Sequence, residues 1–196
     1  MHKTSFFNMT QFVQKYLTDL KKKEISILDI GSQDVNGTYK PLFAQPGWNY
    51  FGLDIVEGEN VNIVVKDIYR WKEIKDHSFD VVISGQALEH VEFFWLTMLE
   101  ISRVLKNDGL LCLIVPSSGY EHRYPKDCYR FFPDGLKALA DYSFLETIEA
   151  YNCWDNYIID GEPNDWKDSV LIARKVKQSM KRRFHFFLRN YINKIL

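Results

Sequence analysis

The sequence predicts an α/β domain built on a doubly wound, mostly parallel sheet, and three observations carry that expectation. Apolar runs of strand length recur seven times through the 196 residues, and several are too uniformly apolar for a strand covered on one face only. Segments with apolar residues at helical spacing alternate with them. The runs end in Gly or Asp, as in Leu28-Asp29-Ile30-Gly31 and Gly52-Leu53-Asp54, so turn formers and carboxylates gather at strand ends.

In chain order, residues 9–23 place Phe12, Val13, Tyr16, Leu17 and Leu20 on one helical face, with Thr10 as N-cap and a Lys-rich last turn suiting the helix dipole. Strands are expected at 26–30, 49–54, 61–65 and 79–84. A helix over 93–105 follows, with Asn107-Asp108-Gly109 as its stop and a fifth strand at 110–115. Residues 116–133 form a long loop at a strand's carboxyl end, and loops of that length in compact domains tend to carry function. A helix over 133–140 and strands at 144–153 and 169–173 complete the domain.

At this length and 46% hydrophobic content, one domain with a substantial core is expected. The N-terminus does not resemble a signal peptide, and no apolar run approaches the ~20 residues that span a bilayer, so the expected location is cytoplasmic. Cys112, Cys128 and Cys153 are odd in number with no paired metal spacing; they read as reduced thiols, and no metal is expected. The net charge of −1 is unevenly spread. Residues 174–196 hold eight of the 25 basic residues and no acid, which leaves 17 basic against 26 acidic residues before them, a body near −9. That body is no nucleic-acid binder and favours a cationic ligand. The chain therefore divides into a domain over 1–175 and a basic amphipathic helix over 176–196. The helix either lies on an anionic inner-membrane surface as a peripheral contact or packs on the acidic body or another subunit.

The crevice outside the carboxyl ends of the strands is where a ligand belongs in such a sheet. Gly31 permits close approach of a ligand to main chain, and Asp29 sets a carboxylate beside it. Asp54, about two dozen residues on, can accept both ribose hydroxyls of a nucleoside. Asp67 can accept an adenine amine with Ile68 against the ring, or cap the turn that follows it.

With these landmarks in order, the chain resembles the class I S-adenosylmethionine-dependent methyltransferases, particularly small bacterial members that modify surface glycans. The matching residues are Leu28-Asp29-Ile30-Gly31-Ser32, Gly52-Leu53-Asp54, Asp67-Ile68, Phe79-Asp80-Val81-Val82-Ile83-Ser84 with Leu88-Glu89-His90-Val91, and Arg103-Val104-Leu105-Lys106-Asn107-Asp108-Gly109-Leu110. They span roughly residues 25–174. One departure stands out: where the family has Gly after Asp-x-Gly-x, this chain has Gln33. A dinucleotide-dependent oxidoreductase would want Gly-x-Gly-x-x-Gly, and residues 31–36 contain a single Gly. The resemblance implies a Rossmann-like sheet of seven strands with an antiparallel last strand. It implies S-adenosylmethionine as cofactor, bound by Asp29, Gly31, Ser32, Gln33, Gly37, Asp54, Ile55, Asp67, Ile68, Ser84 and Gly85.

Methyl transfer to a hydroxyl benefits from a general base, and His suits neutral pH. His122 in the long loop is the preferred base and His90 the alternative. Tyr120, Arg123, Tyr124 and Arg130 are candidate acceptor contacts, the guanidinium groups offering a bidentate fork to phosphate or carboxylate; either Arg can instead pair with Asp127 or Glu121 to hold the loop. O-methylation of a small or glycan-linked acceptor, a sugar or phosphate-type oxygen, is the expected reaction. The alternatives are a non-catalytic S-adenosylmethionine-binding module and an attachment subunit of a glycan-assembly complex.

Overall fold

The central strand β1 (Ile25–Ile30) is buried along nearly its whole length. Its neighbours are parallel: Ile30 stands opposite Leu53 of β2 (Trp48–Asp54) on one side and Ser84 of β4 (Phe79–Gly85) on the other. A computed structural model describes residues 2–20, 23–154, 158–159, 162–163, 165–177, 184–185, 187–188 and 191–192. With β3 (Ile63–Val64), β5 (Leu105–Val115), β6 (Glu146–Asn152) and β7 (Ser169–Arg174), the sheet runs β3-β2-β1-β4-β5-β7-β6. Only β7 is antiparallel, to both β5 and β6. The seven strands and the antiparallel last one are as expected. A two-residue ribbon, Ile158–Ile159 against Glu162–Pro163, was not anticipated.

Alternation along the buried strands sends successive side chains to opposite faces and makes two cores. Leu28, Val82, Leu111 and Leu113 pack under α2 (Phe94–Val104) and α3 (Pro133–Tyr142). Ile27, Val81, Ile83, Cys112 and Ile114 pack under α1 (Lys3–Tyr16) and the 3₁₀ turn Lys40–Phe43. Met9 and Phe12, about one turn apart on α1, are fully buried there, each burial stabilising by ~1.5–3 kcal/mol.

Three boundaries differ from the expected ones for physical reasons. The first helix starts at Lys3, because its first turns bury Thr4, Ser5 and Asn8 rather than apolar residues. Thr4 donates to Asp168 (2.9 Å), and Ser5 shares a hydrogen bond with the Tyr39 hydroxyl. Thr10 is accordingly no cap; it lies mid-helix and donates back to the Phe6 carbonyl. The helix ends at Tyr16, so the Lys-rich segment lies beyond it. α2 ends at Val104 and β5 begins at the next residue, so Asn107-Asp108-Gly109 is a kink inside β5, with Asp108 at φ +63°. Pairing with β4 jumps there from Phe79↔Leu105 to Val81↔Leu110. Buried Lys175 closes the junction: its ammonium donates to the carbonyls of Ser102 and Leu105, satisfying orphan acceptors at the end of α2.

Among the described residues no helix is long and apolar enough to cross a membrane. The described tail residues Phe184, His185, Phe187, Leu188, Tyr191 and Ile192 are helical. Phe184, Phe187, Tyr191 and Ile192 are more than half exposed. The rest of the expected tail helix lies outside the described residues.

Candidate functional site

Strand order reverses between β1 and β4, and a crevice opens where their carboxyl ends part. Here the two strands deliver Gly31 and Gly85 to the floor of a cavity of about 330 Å³. Gly31 has φ +74°, and a Cβ on it would stand 2.6 Å from that of Ala87. A Cβ on Gly85 would stand 2.0 Å from the Tyr39 hydroxyl. Both glycines are therefore required by close packing of protein against protein, and Gly31 by its left-handed φ as well.

The loop after β1 is laced to β2. Gly31 and Ser32 donate their N–H groups to the Leu53 carbonyl, and Gln33 donates its N–H to Asp54 (3.1 Å). Asn60, at φ +68°, donates to the Ser32 carbonyl and to the Thr38 hydroxyl. One oxygen of Asp54 accepts Gln33 N–H and the other Ile55 N–H, leaving each a further lone pair toward the cavity.

Asp29 is buried beneath this loop and accepts a hydrogen bond from the Tyr50 hydroxyl. Burial raises its carboxyl to about 7, the Tyr50 hydroxyl lowers it, and nearby Asp54 raises it further. A folded-state value raised above the unfolded one means that the native state holds an extra proton between about pH 4 and 7. Stability from this group is present below that window and is lost as pH rises through it. Urea midpoints at pH 5 and 8 should therefore show wild type losing on the order of 2–4 kcal/mol relative to Asp29→Asn. Parallel pH slopes for the two proteins would show that Asp29 stays ionised.

At the other end of the cavity the turn Leu88–His90 carries His90 toward the long loop. His90 Nδ1 contacts the Lys126 carbonyl, and its ring meets that of His122 edge-on with centroids 4.9 Å apart. Burial pushes His90 below its usual value. His122 stands against Trp166, and its backbone N–H donates to Asp127. Asp127 is held well below the usual carboxylate range by hydrogen bonds from Arg130. Beneath the imidazoles lies Glu89, fully buried, and neither of its carboxylate oxygens has a hydrogen-bond partner among the described residues. Burial raises it to about 8; its own backbone N–H and the charge of Arg130 counter this only in part. One ligand atom each from Glu89, His90 and His122 lie within 4.8 Å of one another.

Of the residues expected at the site, Asp29, Gly31, Ser32, Gln33, Gly37, Asp54, Ile55, Ile68, Gly85, His90, His122 and Tyr124 line this one cavity. The others do not line it. Asp67 caps its own turn by accepting Tyr69 N–H, and Ser84 is buried with its hydroxyl on the Ile30 carbonyl. Arg123 pairs with Glu121, and Arg130 grips Asp127 and the Tyr120 carbonyl, so both guanidinium groups serve the loop itself. Exposed Tyr120 tilts against Trp166.

Sequence reasoning missed Gln86, which lines the cavity at φ +56° and donates to Asp168 (3.0 Å). Its place directly after a strand that ends in Gly was the available signal. Backbone strain of this kind concentrates at functional sites. His2, also on the lining, is stacked on Trp166.

Residues 28–113 match the family model of the methyltransferase domain. No curated protein matches in sequence. Among solved structures, the chain is similar to Burkholderia thailandensis 1,6-didemethyltoxoflavin-N1-methyltransferase with bound S-adenosylhomocysteine (16% identity, 89% of this chain and 80% of that one, TM-score 0.66). It is similar to the YcgJ protein of Bacillus subtilis (18%, 90% and 100%, 0.63) and to the CurJ carbon methyltransferase (14%, 89% and 55%, 0.66). Residues 28–113 thus match a methyltransferase domain, and the seven-stranded sheet with its antiparallel β7 is the fold that this chain shares with these structures.

Proposed function

We propose that this enzyme methylates a hydroxyl-type oxygen on a small or glycan-linked acceptor, and that one cavity holds cofactor and acceptor end to end. The observation that carries the reading is the pair of imidazoles, His90 and His122, closing the end of the cavity away from Asp54. When bound, S-adenosylmethionine supplies an electrophilic methyl group. Nitrogen and carbon acceptors, such as those named for two of the similar structures, set other demands on that end of the site. An alcohol must shed a proton as it reacts, and imidazole is the side chain suited to receive it near neutral pH. Tyr124 and Pro125 complete the wall, and exposed Tyr120 and Tyr124 offer flat faces to a sugar.

On the cofactor side, the Asp29–Asp54 pair suits a ligand with net positive charge, and the free lone pairs of Asp54 suit a ribose diol. Asp54→Ala is expected to weaken S-adenosylmethionine and S-adenosylhomocysteine by about 10- to 100-fold, the loss of hydrogen bonds to a charged group. Calorimetric titration measures it; unchanged affinity in a folded variant would take Asp54 out of the cofactor site.

The reaction itself is tested by following S-adenosylhomocysteine release with matched sugar, alcohol and amine acceptors and locating the new methyl group by mass spectrometry. Transfer to amine alone would overturn the oxygen reading.

We further infer that the tail attaches the enzyme to an anionic surface, because its aromatic face is exposed and its flanking residues are basic. The full chain should co-sediment with acidic-lipid vesicles in a salt-sensitive way, and a chain ending at Lys175 should not. Equal sedimentation of both would remove the tail as the anchor.

A further inference from the structure

We propose that Glu89, His90 and His122 together bind one divalent cation of the zinc, manganese or iron(II) class, whose open coordination positions take the acceptor oxygen. The inference rests on the O-methylation reading and deepens it by naming what activates that oxygen. Cysteine spacing had pointed away from a metal; these three ligands come together only in the fold.

Three features carry it. The first is Glu89: a fully buried carboxylate whose two oxygens both lack a hydrogen-bond partner among the described residues. Such groups are retained where they are paired with a charge or a metal. Arg130, the cation whose charge acts on Glu89, is already committed to Asp127 through two hydrogen bonds.

The second is the orientation of His90. Its Nδ1 contacts the Lys126 carbonyl, which fixes the proton on that nitrogen. Nε2, left without that proton, then stands 3.8 Å from Glu89 Oε1, beyond hydrogen-bond distance. A backbone carbonyl on the far nitrogen is the usual support of a metal-binding imidazole.

The third is His122, whose buried Nδ1 has no hydrogen-bond partner and lies 3.4 Å from Asp127 Oδ2. Ligand atoms within 4.8 Å of one another need to close by up to about 1.4 Å, since tetrahedral ligands at ~2.1 Å from an ion stand about 3.4 Å apart. His122 belongs to a loop, and its side chain is 31% exposed, so a rotamer change can supply that movement.

Two imidazoles and one carboxylate suit zinc, iron(II) or manganese, whereas calcium and magnesium prefer all-oxygen shells. Three protein ligands leave positions open, and both imidazoles line the cavity wall, so those positions open toward the acceptor. An alcohol bound there is made more acidic and releases its proton to water. Its oxygen then bonds the methyl carbon as the carbon–sulfur bond breaks, the electron pair staying on sulfur. With the ion bound the imidazoles are its ligands and water takes the proton; without it an imidazole takes the proton directly, and the rate of the metal-free protein separates the two.

The test uses the full chain, stripped with chelator and titrated with cobalt(II), whose visible absorption reports nitrogen and oxygen ligation, and with zinc(II) by calorimetry. One equivalent per chain is expected, with affinity at least ~10-fold weaker in Glu89→Gln and in His122→Ala. His122→Ala serves where the buried Glu89 variant does not fold, and retained S-adenosylhomocysteine binding certifies the fold of either. Equal affinity in wild type and variants, or no stoichiometric binding, overturns the site. Undiminished O-methylation by the metal-free protein overturns the ion's role while leaving the oxygen reading standing. Stoichiometric binding without any transfer to alcohols supports the site and removes the oxygen reading.

Discussion

His122→Ala is expected to lower methyl transfer by about 10²–10⁴-fold while leaving S-adenosylhomocysteine affinity within about twofold, the signature of a group acting on the acceptor. The split follows from where the residue stands. His122 is on the cavity wall beside His90, whereas the cofactor candidates Asp54 and Gln33 belong to the opposite, β1–β2 end. Truncation at Cβ also leaves the loop's own bonds intact. His122 N–H still reaches Asp127 (2.7 Å), and Asp127 still takes two bonds from Arg130, which in turn holds the Tyr120 carbonyl. Single-turnover rates and calorimetric S-adenosylhomocysteine titrations of the same preparation separate the two effects. Equal losses in rate and in affinity would make His122 a cofactor or structural residue. A full rate in His122→Ala with loss in His90→Ala would transfer the role to His90.

The sheet was legible because its central strands are covered on both faces and so read as nearly continuous apolar runs; β1, β4 and β5 are of this kind. The cofactor end was legible for a related reason, since glycines and acids that end strands announce themselves by position. What escaped were features in which polar residues do the work of burial. Thr4, Ser5 and Asn8 face inward on α1 and erase the helical stripe that would have marked its start. Glu89 carries no local mark of burial in Leu88-Glu89-His90-Val91, yet its side chain is completely buried. The guanidinium groups were legible as charge but not as partners: whether Arg130 meets a substrate or Asp127 depends on a loop path that no local pattern encodes. The Glu89–His90–His122 grouping joins residues about thirty positions apart, and only the return of the long loop over the turn Leu88–His90 brings them together.

Arg103 carries the largest expected effect on stability. It falls in the segment Arg103 to Leu110, one of those that carry the methyltransferase resemblance, and its role is structural. Its side chain, 13% exposed, donates to both carboxylate oxygens of Glu100, to Asp76, and to the carbonyls of Ile74 and Trp71. Glu100 in turn accepts the Trp71 N–H (2.8 Å). One guanidinium thus ties α2 to the segment that crosses from β3 to β4 without an α-helix of its own. That segment carries Ile68 into the cavity lining, and the Ile68 carbonyl accepts the Trp71 indole N–H. Arg103→Met removes the cation and leaves the Glu100 charge buried with only the Trp71 N–H, so a loss of about 3–5 kcal/mol is expected, a large share of the ~5–15 kcal/mol typical of a domain. Arg103→Lys should recover little of it, because a single ammonium cannot span four acceptors lying in different directions. Urea unfolding followed by tryptophan fluorescence reads the change directly, Trp71 being buried at the junction. A loss below about 1 kcal/mol in Arg103→Met, the range of an exposed ion pair, would mean that the network adds little and that packing of Trp71 alone holds the crossing segment.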